Sequence, residues 1–243
     1  MDYIDNKKVE LAKKIYLYLG AIFITSLVVS NLIFQKFIYI NFFDIEIFGA
    51  KLFELSVGIL PYPITFLVTD IISEIYGKKK ANQIVTAGIF ASLFSIIIIM
   101  VADNLPAIDY YNDPLQNSPI SDTTFNNVFS KSLIAVSASM ATYLLAQFVD
   151  IRIYHFWKKL TKGKMLWLRN NFSTFFSQIL DTFTIIFLLC YFDVIAWDKF
   201  FTLFISGVLF KILVALIDTP LLYLGVYYFR KKFDLKINEE ITI

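Results

Sequence analysis

Residues 61–80 read PYPITFLVTDIISEIYGKKK, an apolar run interrupted by Asp70 and Glu74 and closed by three lysines at 78–80. The run is long enough to enter a bilayer. At a helical rise of about 1.5 Å per residue, Asp70 lies about 12 Å from Lys78, well inside a hydrocarbon layer of about 30 Å, and Glu74 about one turn from its boundary. Inserting an aspartate near the middle of a span costs about 2.5–3.5 kcal/mol, so Asp70 needs a partner, water or a proton. A helix carrying such a group faces other protein rather than lipid. This stretch therefore predicts an interior helix of a polytopic membrane protein.

The rest of the chain agrees. Of 243 residues 58% are hydrophobic and 17% charged, 26 are Phe, and the mean hydropathy is +0.65. A soluble core explains such a composition poorly. Six windows predict transmembrane helices, at about 15–34, 55–75, 81–101, 132–149, 173–192 and 200–229, which makes an all-α fold. The domain plan is an N-terminal segment 1–14, one six-helix transmembrane domain 15–229 and a tail 230–243. The first window is too long for a signal-peptide core and lacks a small-x-small cleavage site, so it reads as a retained span.

An even number of spans puts both termini on one side. Seventeen of the 22 lysines and arginines fall before the first span, at 78–80, at 152–169, or from Arg230 on, and these segments share one side. The positive-inside rule makes that side the cytoplasm. Of the outer connections, residues 37–49 alternate as a short extended excursion would, and 102–129, free of Lys and Arg, read as a solvated loop with a short helix. NLIFQ at 31–35 can be laid over YLLAQ at 143–147, and TFLVTD ending at Asp70 over FFSQILD ending at Asp181. These offsets suggest two three-helix halves of opposite orientation, a 3+3 inverted repeat.

Further polar groups fall at mid-depth. Asp181 lies about 18 Å from Arg169, with Gln178 on the same face, and Lys211 and Asp218 sit at similar depth in the last span. Lys211 can meet Asp181 or Asp70 as a packing ion pair, or the same groups can line a polar cavity. Four charged groups at depth exceed what packing requires and favour the cavity. Pro220 frees a carbonyl inside the last span, and Pro61 and Pro63 are expected to do the same at the start of the second. Gly77 fits a helix C-cap with the following lysines complementing the negative helix end. Asp150, Arg152 and His155 read as boundary residues, and Tyr154, Trp157 and Trp167 as an interfacial belt. Arg169, Asn170 and Asn171 are expected to cap helices or close a gate.

Together these residues resemble the VUT, or YhhQ-like, family of queuosine precursor transporters. The resemblance rests on P-x-x-F-x-x-x-D-x-x-x-E-x-Y-G (Pro63, Phe66, Asp70, Glu74, Tyr76, Gly77) followed by basic residues and Ala81, and on Ser137 through Gln147 to Asp150. It also rests on W-L-R-N-N-x-S-T with Q-x-x-D-T (Trp167 to Thr174, Gln178 to Thr182), and on Lys211 with D-T-P (Asp218 to Pro220). It implies an inner-membrane importer of 7-deazaguanines such as preQ0, preQ1 or queuine, supplying queuosine synthesis in transfer RNA. A guanine-like base offers adjacent N–H donors to a carboxylate, acceptors to Lys or Gln, and a flat face to aromatic rings. On that reading Asp70, Asp181, Gln178, Lys211, Asn31 and Asp218 are the substrate-binding candidates, and Glu74, Arg169 and Asn171 candidates for coupling or a gate. Proton coupling is the expectation that Asp70 and Asp181 motivate.

No cofactor is implied. His155 and Cys190 are the only residues of their kinds, which leaves metal and thiol chemistry poorly equipped, and no Walker A sequence provides for ATP. No charged tail points to nucleic acid. The expected partners are a small deazapurine, the lipid bilayer and, through small residues such as Gly20, Ser206 and Gly207, a homodimer. Two other classes compete: a substrate-binding subunit of an ATP-energised vitamin importer, similar to S components, and an intramembrane aspartyl hydrolase built from Asp70 and Asp181.

Overall fold

The computed structural model describes residues 3–34, 36–39, 46–47, 50–51, 54–108, 118–130, 133–193, 195–237 and 239–243. Six long helices dominate: α1 (Tyr3–Ile33), α2 (Tyr62–Ile75), α3 (Gly77–Asp103), α5 (Leu133–Leu160), α6 (Leu166–Tyr191) and α7 (Phe200–Phe233), with the short α4 (Asp122–Phe125) between α3 and α5. Among the described residues, five segments are long and apolar enough to cross a membrane: Asn6–Ile33, Val57–Ile75, Gly77–Asp103, Leu166–Tyr191 and Trp197–Phe233. The window at 132–149 falls on α5, except for residue 132, which lies outside the described residues.

The extended excursion is present in part. Strands β1 (Phe37–Tyr39) and β4 (Glu54–Ser56) pair antiparallel, with Phe37 opposite Ser56, and β2 (Glu46–Ile47) pairs with β3 (Ala50–Lys51). The expected extended residues 40–45 and 48–49 lie outside the described residues, as do 109–117 of the second outer loop. Ser30 donates to the Gly58 carbonyl and Ser56 to the Phe34 carbonyl, tying the end of α1 to the turn before α2.

Helix α2 is the centre of the bundle. It packs on α1, α3, α5 and α7, and from Thr65 to Ile75 only Leu67 escapes full burial. Helix α5 packs on α6, and α6 on α7. The outer faces carry Phe90, Phe94, Ile97, Leu216, Ile217, Leu221 and Leu224 in exposed positions, while Asp70, Glu74, Gln147, Asp150, Arg169 and Asp181 are buried. Apolar surface outward and polar groups inward is the arrangement a lipid solvent demands.

The expectations for the prolines before α2 and the lysines after it change. Pro61 caps α2 and Pro63 stands in its first turn, where a missing N–H has no helical partner to lose, so neither opens the helix interior. Gly77 follows Tyr76, the C-cap of α2, and takes φ +80°, the left-handed conformation that only glycine adopts cheaply, so it ends α2 as expected, and α3 starts at Gly77 itself. The lysines at 78–80 therefore occupy the first turn of α3 and do not stabilise an α2 end. Pro220 does lie inside α7, as the sequence implied.

Candidate functional site

The mid-depth groups separate into three clusters. The first joins α2, α6 and α7. Gln178 and Asp181 share a face of α6, and the Tyr62 hydroxyl sits 2.7 Å from Gln178 Oε1 and 2.8 Å from Asp181 Oδ2. Lys211 of α7 forms an ion pair with the same Asp181 oxygen, lies 3.4 Å from the Tyr62 hydroxyl, and places its ammonium 4.6 Å from the Tyr62 ring centroid. Close helix approach makes this pairing possible: a Cβ at Gly207, one turn before Lys211, would meet Thr182 at 2.9 Å. Of the two acceptors open to Lys211 from sequence, Asp181 holds it.

Tyr62, Asp181 and Lys211 of this cluster form one wall of a cavity of about 450 Å³, and Gln178 faces a smaller neighbouring chamber. Asp181 and Lys211 keep 7% and 10% of their side-chain surface exposed, so the pair is not sealed. Asn31, Ser30, Ser139, Tyr143 and Thr65 add polar groups, and Leu27, Phe34, Ile59 and Ile186 add apolar wall. Asn31 Nδ2 is buried with no hydrogen-bond partner, a donor left for something in the cavity. Size and lining, mostly apolar with a few convergent polar groups, suit a small planar molecule. The cavity lies at the end of the bundle where α1 finishes and α2 begins.

The second cluster closes the opposite end. Glu74, 1% exposed, pairs with Arg169 at 2.6 Å and with Arg230, accepts a hydrogen bond from Tyr154 at 2.9 Å, and has Lys158 at 3.6 Å. Arg169 also donates to the Gly163 carbonyl at 2.8 Å and the Lys164 carbonyl at 3.0 Å. The C-terminal tail folds back over this knot. Ile241 N–H donates to the Ile75 carbonyl at 2.8 Å, and Glu240 pairs with Lys158 at 2.8 Å. Tyr154 is fully buried here and is not part of an interfacial belt, because its hydroxyl serves Glu74 and Arg169. Arg169 does not cap its helix either, since its guanidinium spans Glu74 and the preceding loop.

The third cluster lies between them. Asp70 of α2 and Asp150 of α5 are in hydrogen-bonding contact, and Ser177 donates to Asp150 Oδ1 at 3.0 Å. Asp150 is wholly buried, so it is no boundary residue. Asp218 of α7 faces Asp70 across a small chamber also lined by Asn170 and Thr174. Asn171 instead bonds within its neighbourhood, donating to the Trp167 carbonyl at 2.8 Å and accepting from Thr219 at 3.2 Å. Sequence reading missed Tyr62, Tyr143, Gln147, Asp150 and Tyr154. The pairing of Tyr143 with Gln147 one turn later, and of Asp150 with Tyr154, was the available signal. Among the described residues no group of His, Cys, Asp and Glu could hold a metal ion.

A multi-pass helical bundle with an apolar exterior and a mostly apolar cavity walled on one side by a buried ion pair is an architecture suited to a membrane transporter. Residues 56–225 match the family described as putative vitamin uptake transporter, and the chain belongs to that family. It is 30% identical over 178 residues to a probable queuosine precursor transporter of Bacillus subtilis, spanning 71% of this chain and 73% of that one. It is 26% identical over 131 residues to a protein of the same description from Haemophilus influenzae, spanning 54% of this chain and 50% of that one. No solved structure matches it. The family is one of transporters, in agreement with the reading that this chain is not an enzyme.

Proposed function

We propose that this transporter imports 7-deazaguanine precursors of queuosine, such as preQ0, preQ1 or queuine, across the bacterial inner membrane for transfer RNA modification. The observation that carries the reading is the wall formed by Asp181, Lys211, Tyr62 and Asn31 around a cavity of about 450 Å³. Asp181 accepts the adjacent ring and amino N–H donors of the guanine-like edge in pairs, and Lys211 meets its carbonyl, with Gln178 behind the wall holding the Tyr62 hydroxyl. Tyr62 and Tyr143, edge to face with centroids 5.3 Å apart, offer ring surface to the flat base. Asn31 supplies a further contact. Asp70 and Asp218 stand behind this wall.

On this reading α5 is the sixth span, both termini are cytoplasmic, and the cavity opens outward while the Glu74 knot closes the cytoplasmic end. Residues 15–229 form one transporter domain flanked by a cytoplasmic N-terminal segment and tail, and its halves are a 3+3 inverted repeat. Glu74, Arg169 and Asn171 belong to the inner gate.

The test is queuosine content in transfer RNA from a host lacking both precursor synthesis and its own importer. Expressing the chain and feeding preQ0, preQ1 or queuine in turn is expected to restore the modification with at least one precursor. The Asp181→Asn variant is expected not to restore it. No restoration from a verified, membrane-inserted chain would overturn the cargo.

A further inference from the structure

The Asp70–Asp150 contact cannot be an ordinary pair of ionised carboxylates. A carboxylate only accepts hydrogen bonds, so two of them in contact require a proton between them. Two charges at that distance would also repel strongly in a site with little water. Asp70 is 4% exposed and Asp150 not at all. The cations that could neutralise them are held elsewhere: Lys211 on Asp181, and Arg169, Arg230 and Lys158 around Glu74. Among the described residues neither Asp70, Asp150 nor Asp218 has an ion pair.

The surroundings are built to exchange something small. Asp70 Oδ1 and Asn170 Oδ1 are buried and lack hydrogen-bond partners. Asp70, Asn170 and Thr174 line, with Asp218, a chamber able to hold about one water molecule. Thr174 and Asp218 recur in the wall of a neighbouring chamber with Gln178 and Lys211, which leads to the cavity cluster. A second connection runs through α5. Thr69 donates to Gln147 Oε1 at 3.2 Å, and Gln147 Nε2 donates to the Tyr143 hydroxyl at 2.7 Å, with Tyr143 in the cavity wall and Gln147 one turn before Asp150.

We propose that Asp70 and Asp150 form the binding site of a coupling proton, shared between their carboxyl oxygens and exchanged with water through the chamber beside Asp218. Loading moves one proton from water onto one carboxylate and leaves the pair with a single negative charge. Release returns that proton to water once the Glu74 knot opens and hydrates the pair. The groups facing the pair are Asp218 from α7, Tyr143 and Tyr154 from α5, Glu74 one turn along α2, and Ser173, Thr174 and Ser177 from α6, where Arg169 lies one turn earlier. The proposal rests on the protein being a transporter and not on the identity of its cargo.

Infrared difference spectroscopy of the purified full chain in liposomes tests it without any cargo. At neutral pH the wild type is expected to show the carbonyl stretch of a protonated carboxylic acid, shifted when the chain is grown with isotope-labelled aspartate. The band should be lost in Asp70→Asn and in Asp150→Asn and kept in the remote Asp103→Asn. An unshifted or absent band in the labelled wild type overturns the proposal even where a variant fails to fold. So does a band unchanged in both folded variants. A band that disappears as sodium is raised at constant pH would make the pair a metal-cation site instead, and would equally overturn it.

Discussion

Glu74 and Asp70 stand one turn apart on the same helix, equally withdrawn from water, and meet opposite surroundings. Glu74 is enclosed by Arg169, Arg230 and Lys158 and bonded by Tyr154, so its charge is answered several times over. Asp70 meets Asp150 and Asp218 and no cation. A saturated buried charge has nothing to exchange and fixes helices in place, whereas an unanswered one is poised to take up a proton. Burial alone therefore does not mark function; what separates the two carboxylates is whether the neighbouring helices bring positive charge.

The sharpest way to break this comparison is to remove Glu74. Glu74→Ala strands Arg169 and Arg230 at the closed end of the bundle, while Lys158 keeps Glu240, and losing one partner of a buried ionic network costs about 3–5 kcal/mol. Thermal unfolding in detergent should show the largest drop of any single substitution considered. If Glu74→Ala unfolded no earlier than wild type, the knot would not be holding the bundle closed.

Next comes Asp181, which resembles Glu74 in having a cation but differs in facing a cavity. Asp181→Asn leaves Lys211 without its partner, a change of about 2–5 kcal/mol where the pair is well buried, and here less because both side chains retain some exposure. Uptake of labelled precursor is expected to fall by about two orders of magnitude, because on the proposed reading the carboxylate that accepts from the donor edge is gone. Binding to the purified variant checks this, and an affinity equal to wild type would remove Asp181 from the site.

The common level of Asp181 and Lys211 along the bundle was legible in sequence, and the partners of the polar groups only partly so. Twelve-residue spacings from Arg169, Lys199 and Arg230 placed Asp181, Lys211 and Asp218 near the middle, because rise per residue is fixed by the helix. Asp150 and Tyr154 were misread for a physical reason. Near a charged helix end, sequence cannot say which face is covered, and the cover here comes from α2 and a returning tail distant in the chain. Tyr62 was hidden by its position at the first turn of α2, beside prolines that suggested a broken helix. Arg230 looked like a topogenic tail charge because α7 was expected to end one residue before it, at 229, and the helix runs on to Phe233.

Asp70→Asn sharpens the contrast from the other side. An amide can donate to Asp150 where the shared proton did, so the fold should keep its stability within about 1 kcal/mol. Set beside Glu74→Ala in the same unfolding assay, this predicts two buried carboxylates on one helix with several-fold different costs. A drop for Asp70→Asn as large as that for Glu74→Ala would mean that Asp70 is structural too.

The smallest effect is expected at Glu240, which touches the same knot from outside. Its side chain is 43% exposed and its bond to Lys158 is screened by water and salt. Exposed pairs of this kind contribute about 0–1 kcal/mol. Glu240→Gln should therefore leave unfolding almost unchanged, since Lys158 still donates to the Glu74 carbonyl at 3.1 Å and Ile241 still bonds to Ile75. Raising salt should shift wild type toward the variant and leave Glu240→Gln where it is, because the inner Glu74–Arg169 pair is sealed from the ions that screen the outer one.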